Sequence, residues 1–322
     1  MFEKSFITNA INRSAENPLD RRRFLRAAGL TGVSVGAMAL LPQAAFAHEG
    51  DSVQGEDDHG SDNNGPSDAA ILNFALNLEY LEAEFYLRAV TGMGLADNMT
   101  GGQGHHGDVL GGRAVSFATG KLRKIAEEIA ADEKAHVAFL REALGGAAVA
   151  RPSIDLRDSF TAAAVAAGLI TAGETFDVYA NETNFLLGAF IFEDVGVTAY
   201  KGAAPLIDSK VYLEAAAGIL AVEAYHAATI RSSLYALGLD APTTNISDLR
   251  DSVDGPTDLD QGIVVDGNAN IVPTDSNGIV FSRSAAQVLN IVYLTAEETT
   301  SGGFFPDGVN GEINTSGHNH EQ

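Results

Sequence analysis

The sequence predicts an all-α protein, a four-helix bundle with a loop-rich C-terminal extension. Three observations carry that expectation. Four long segments repeat their apolar residues at the helical period of 3.6, and no strand-dominated stretch of any length occurs. A spacing of Glu–x6–Tyr followed by Glu–x2–His also occurs twice in order, as two successive helix pairs would produce. A chain of 322 residues with 45% hydrophobic side chains is long enough for one such core.

Residues 1–47 read as an export signal. Arg21, Arg22 and Arg23 precede Phe24 and Leu25, an apolar run spans Ala27 to Leu41, and Ala45-Phe46-Ala47 offers a small-x-small cleavage site. The arrangement looks like a twin-arginine signal, with the mature protein periplasmic or extracellular and without a transmembrane anchor after cleavage. Residues 48–66 form an acidic, flexible linker. Ser67 or Asp68 can cap a helix that carries Ile71, Ala75, Leu78, Glu82, Phe85 and Ala89 on one stripe and stops at Gly92. A glycine-rich loop with His105 and His106 leads to a second helix, expected over Arg113 to Leu144 and ended by Gly145-Gly146. A short alanine-rich helix is expected near residues 158–167. A third long helix runs from Glu182 to Ala203, ended by Pro205, and a fourth from Ser209 to Leu237. The bundle domain is thus residues 67–240. Residues 241–322 form the extension, rich in Asp, Gly, Thr and Pro, with one short helix at Ser284 to Thr295 and a terminal His318–His320 tail expected to be disordered.

Composition excludes several functions. With no cysteine, disulfides, thiolate zinc sites and iron–sulfur clusters are ruled out. The formal charge of −23, which becomes more negative once the basic signal is removed, excludes charge-driven binding of nucleic acid. Acidic surfaces attract cations instead.

The chemistry lies in the repeat. Glu133 and His136 sit three residues apart on the apolar stripe of the second long helix, with Ile129 and Leu140. Glu223 and His226 repeat that spacing on the fourth, with Leu220 and Ile230. Glu79 and Glu193 lie inside apolar stretches of the first and third, each with a tyrosine seven residues later, Tyr86 or Tyr200. Four carboxylates and two imidazoles converging in a bundle core suit two divalent first-row metal ions. Without cations the same cluster would repel itself. A third Glu-x-x-His, Glu56 and His59, falls in the acidic linker and is read as coincidental. Glu82 is an alternative or outer ligand. Glu84, Glu127, Glu128, Asp132 and Asp194 are expected on the surface. Tyr86 and Tyr200 are read as core aromatics with a bonded hydroxyl, the alternative being a radical or an outer partner of the centre.

At these residues the sequence resembles the ferritin-like superfamily, in the arrangement shared by bacterioferritins and rubrerythrins. The resemblance implies Glu79, Glu133, His136, Glu193, Glu223 and His226 as metal ligands, with Glu133 and Glu223 bridging. It further implies that Asp132, just before the first Glu-x-x-His, bonds a ligand histidine on the other helix, whereas Val222 stands at the matching position of the second motif. The layout is most similar to the exported ferritin-like group that includes desiccation-related proteins. That likeness implies two iron or manganese ions as cofactors and dioxygen or hydrogen peroxide as reactant. The implied role is ferrous oxidation or peroxide removal in oxidative or desiccation stress, with a homo-oligomer as a further expectation. The alternative is a non-catalytic, stress-protective envelope protein on the same scaffold. A mineral-storing cage fits less well, because the 92–112 loop and the extension would crowd a shell.

Overall fold

The computed structural model describes residues 65–319, so the signal, and the linker apart from its last two residues, lie outside the described residues. Four long helices build the bundle: α1 (Asp68–Thr91), α2 (Gly120–Leu144), α4 (Glu182–Ala203) and α5 (Lys210–Ala236). The short α3 (Asp158–Ala166) joins the two halves, and α6 (Asp240–Asp254) and α7 (Ala285–Tyr293) belong to the C-terminal part. The ends are chemically marked. Ser67 caps α1 by accepting from the Ala70 amide, Asn181 caps α4 through the Asn184 amide, and Ser209 caps α5 through the Tyr212 amide. Gly92 ends α1 in the left-handed conformation at φ 80°.

α1 packs chiefly against α2, and α4 against α5. The two pairs meet along the α1–α4 and α2–α5 seams. α1 and α4 are the inner helices: Leu76, Tyr80, Phe85, Tyr86, Phe185, Leu186 and Ala189 are each fully buried. Phe85 stacks on Phe185, with centroids 5.4 Å apart, and meets Phe160 of α3 and Phe192 of α4. The only strands among the described residues are two-residue pairs, β1 (Val109–Leu110) with β2 (Ile154–Asp155) and β3 (Val264–Val265) with β4 (Asn268–Ala269). No described helix is long and apolar enough to cross a membrane.

Three expectations need correction. α2 begins at Gly120, not Arg113, because Glu182 binds the Thr119 amide and hydroxyl and the Val115 amide donates to Ala89, holding 113–119 extended. The C-terminal part contains two helices, not one. The buried side of α6 is Thr243, Ile246, Ser247, Arg250, Val253 and Asp254, so an apolar period is absent from its sequence although the helix is well packed. The terminal segment is ordered through Asn319: Ser316 bonds Thr299, and Asn319 bonds Asn290 and Val253. Only His320 of the HNH stretch falls outside the described residues.

The extension wraps the bundle rather than trailing from it. Phe304 packs on Phe160 and Phe192 at 5.0 and 4.9 Å. Asn310 bonds Asn77 of α1 and both His105 and Ala150, tying down the long loop. Against α4 and α5 the contact is ionic. Asp194 pairs with Arg231 at 2.8 Å and with Arg250 at 3.2 Å, Arg250 with Asp260 at 2.5 Å, and Arg283 with Asp260 at 2.5 Å and Asp254 at 2.6 Å. All six are buried. Such a network persists only because each charge is bonded from several sides.

Candidate metal centre

The six residues singled out by spacing meet in the middle of the bundle. Glu79, Glu133, Glu193 and Glu223 are buried to 1% exposure or less, and His136 and His226 are 8% and 6% exposed. Each comes from the inward stripe of its helix, where a spacing of three keeps Glu and His on one face. They form two overlapping groups: Glu79, Glu133, His136 and Glu223 in one, and Glu133, Glu193 and His226 in the other. Glu133 belongs to both. His136 Nδ1 lies 3.2 Å from Glu79 and 3.4 Å from both Glu133 and Glu223. His226 Nδ1 lies 2.9 Å from Glu133 and 3.8 Å from Glu193.

The outer contacts cross between helices. Tyr86 of α1 donates to Glu193 of α4, and Tyr200 of α4 donates to Glu79 of α1. Burial and the adjoining carboxylate hold both hydroxyls well above their usual pKa, so both keep the proton they donate. His226 Nε2 bonds Asp132 at 3.2 Å, the pairing that the resemblance implies. Asp132 is half-exposed, so it bridges the centre and the surface. Val222 offers no such partner, and among the described residues no hydrogen bond to His136 Nε2 is found.

The electrostatics are those of a charge cluster in need of cations. Burial pushes Glu79 up to about 8, its charged form being stabilised only in part by His136. Burial and the neighbouring carboxylates raise Glu193, Glu223 and Glu82 as well. Burial works against the charged Glu133 too, but His136 and His226 on either side hold it down at about 2. Burial opposes charging of His226, yet Asp132 and Glu133 raise it to about 11. The orphaned atoms of the cluster test whether it fits metal. Both oxygens of Glu133, both of Glu223, Glu193 Oε2 and His226 Nδ1 are buried without an aligned hydrogen bond, their nearest polar neighbours being other members of the same cluster. Buried polar atoms are normally satisfied, and six orphaned oxygen and nitrogen donors in one cluster fit a metal-ligand set.

Two placements differ from the sequence reading. Glu84 is buried, not solvated: Arg88 and Arg151 pair with it at 2.9 and 2.6 Å. Asp194 is buried in the arginine network, not on the surface. Glu82 faces the cluster at 6% exposure from outside both ligand groups, the outer place that the sequence offered it. Sequence reasoning also missed Gly196. A Cβ there would lie 2.7 Å from Glu223 Oε2 and 3.4 Å from Glu82 Oε1. The signal was present: Gly196 stands three residues after Glu193, as Glu82 stands three after Glu79. One repeat carries a carboxylate where the other leaves room for it. His105 and His106 are exposed and lie outside both ligand groups, with His106 bonded to Thr100.

The ferritin-like domain family matches residues 67–236. Desiccation-related protein PCC13-62 of Craterostigma plantagineum is 31% identical over 304 residues, covering 88% of this chain and 93% of that protein. Ferritin-like catalase Nec2 of Nesocodon mauritianus is 29% identical over 273 residues, covering 78% of this chain and 87% of that protein. No solved structure matches the chain significantly. The helical bundle, the buried carboxylate–imidazole cluster and these matches agree: the chain belongs to the ferritin-like family.

Proposed function

We propose that the protein is an exported di-metal oxidoreductase that removes hydrogen peroxide, using two iron or manganese ions. The observation that carries this reading is the set of orphaned donor atoms on Glu133, Glu193, Glu223 and His226, buried together with Glu79 and His136. A relative named as a ferritin-like catalase supports the choice of peroxide. When bound, two adjacent ions in a carboxylate-rich site supply a shared two-electron redox change. The protein's own residues do the rest. Tyr86 and Tyr200 hold Glu193 and Glu79 in fixed rotamers. Asp132 fixes the His226 ring so that Nδ1 faces inward. The apolar walls keep bulk water away, and the buried carboxylates hold protons until cations displace them.

The test is elemental analysis of protein from its own host, with assays of peroxide consumption and ferrous oxidation on the same material. Metal near two ions per chain with peroxide turnover is the expected result. A Glu133→Ala, Glu223→Ala double variant should lose the metal, and unchanged metal content in it would sink the proposal. Ferrous oxidation without peroxide turnover would move the activity to the other reaction that this donor set suits. The match to a desiccation-related protein favours one second reading, a stress-protective scaffold. That reading predicts a lower Tm under chelation and no turnover in either assay. Export by the twin-arginine route is the companion proposal, and replacing Arg21, Arg22 and Arg23 by lysine should retain the precursor inside the cell.

A further inference from the structure

Two cavities lie back to back along the α1–α4 seam. The outer one, about 320 Å³, opens beside the half-exposed Leu206 and reaches Val288 of α7. The inner one, about 20 Å³, ends against Leu78 and Tyr200. They share Ile71, Phe74, Ala199 and Ala203 as a common wall. Tyr200 is the residue whose hydroxyl donates to Glu79, so the inner cavity stops one side chain short of the metal-ligand cluster. A space holding one water needs roughly 10–15 Å³. The inner cavity therefore admits a single small molecule and no chain.

The lining decides which molecule. Apart from the Tyr200 hydroxyl, already engaged by Glu79, every side chain around the inner cavity is hydrocarbon. Hydrogen peroxide, water or an ion would enter by giving up hydrogen bonds with nothing in exchange. An apolar diatomic gives up none, and apolar pockets accept xenon. The opposite seam has the contrary character: His136 and His226 are slightly exposed there, and Asp132 carries their side out to solvent.

We propose that the α1–α4 seam is a dry binding path for dioxygen, running from Leu206 through the Ala199–Ala203 wall to Tyr200. The proposal rests on the peroxide-removing reading. In that reaction one peroxide loses two electrons and two protons and leaves as dioxygen. The second accepts them, its O–O bond breaks, and two waters form. Dioxygen departs through the seam.

The experiment is xenon pressurisation of crystals of the full metal-loaded protein, with turnover measured on the same material. Wild type should show xenon in the inner cavity. Ala199→Leu, which fills the shared wall, should lose that xenon, keep its metal content, and slow dioxygen release several-fold. Ala203→Leu, at a half-exposed position that tolerates bulk, should narrow the outer part and slow release less. No xenon in wild type overturns the proposal, as does undiminished dioxygen release in a variant whose cavity is filled. If wild type binds xenon but consumes no peroxide, the catalytic reading is what has failed, and the assignment to dioxygen falls with it.

Discussion

Gly196→Ala should weaken metal binding while leaving the metal-free fold as stable as before, or more so. The added Cβ would stand 2.7 Å from Glu223 Oε2 and 3.4 Å from Glu82 Oε1. Ordinary contact begins near 3.4 Å, so the Glu223 carboxylate must retreat by several tenths of an ångström. Ligand constellations tolerate displacements of only about 0.5 Å, and disturbing a supporting residue of a metal site costs about 10–100-fold in affinity. Backbone terms run the other way. Gly196 lies inside α4, where replacing glycine by alanine gains roughly 1 kcal/mol in helix propensity. Without metal the Glu223 carboxylate makes no aligned hydrogen bond and keeps only a 3.4 Å contact with His136, so its retreat costs little. The assay is calorimetric titration with Mn(II) or, anaerobically, Fe(II), beside thermal melts with and without metal. Affinity should fall by one to two orders of magnitude as the metal-free Tm holds or rises. Wild-type affinity in the variant would refute the role given to Gly196. Collapse of the metal-free Tm would show that the crowding is structural.

The same geometry sets three other outcomes. Asp132→Ala removes the only hydrogen bond found on His226 Nε2 among the described residues and should reduce metal affinity about 10–100-fold, read by competition with a chelating dye. Glu79 binds its proton more tightly folded, at about 8, than at its ordinary 4.5. The Glu79 contribution to metal-free stability should therefore be full near pH 4.5 and be lost as pH rises to about 8, while Glu133, held at about 2, loses its own contribution below 4.5. His226, at about 11 against an ordinary 6.5, acts in the same sense at higher pH. Melts of the metal-free and loaded forms should then diverge as pH rises, and a metal-free Tm that climbs from pH 4.5 to 8 would contradict the cluster's electrostatics. Arg250→Met strips partners from buried Asp194 and Asp260. Breaking such a buried pair costs about 3–5 kcal/mol, measurable by urea unfolding, with the same loss expected whether or not metal is bound.

Whatever local spacing determines was legible in the sequence. The α4 bounds came from its helical period, beginning at Glu182, and from Pro205 at the other end. The ligand set came from a repeat whose members lie on the apolar stripe of each helix, and a buried charge on such a stripe needs a partner. What escaped depended on distant partners. Glu84 looks solvated until Arg151 is brought to it, and Asp194 until Arg231 and Arg250 are. The helix α6 hid for the same reason: its buried face mixes Ile246 and Val253 with Ser247, Arg250 and Asp254, whose polar groups find distant partners only after folding. Asp132 shows the middle case. Nothing in its own neighbourhood distinguishes it from a surface acid, and only the resemblance placed it against His226.

Everything proposed for this protein requires six side chains to hold two cations at the heart of the bundle. Anomalous diffraction at the iron and manganese absorption edges, from crystals of protein purified with its native metal, is the sharpest test. Two peaks are expected, one among Glu79, Glu133, His136 and Glu223 and the other among Glu133, Glu193 and His226. A bundle with neither peak, its carboxylates turned away from one another or bonded to water, would contradict that requirement.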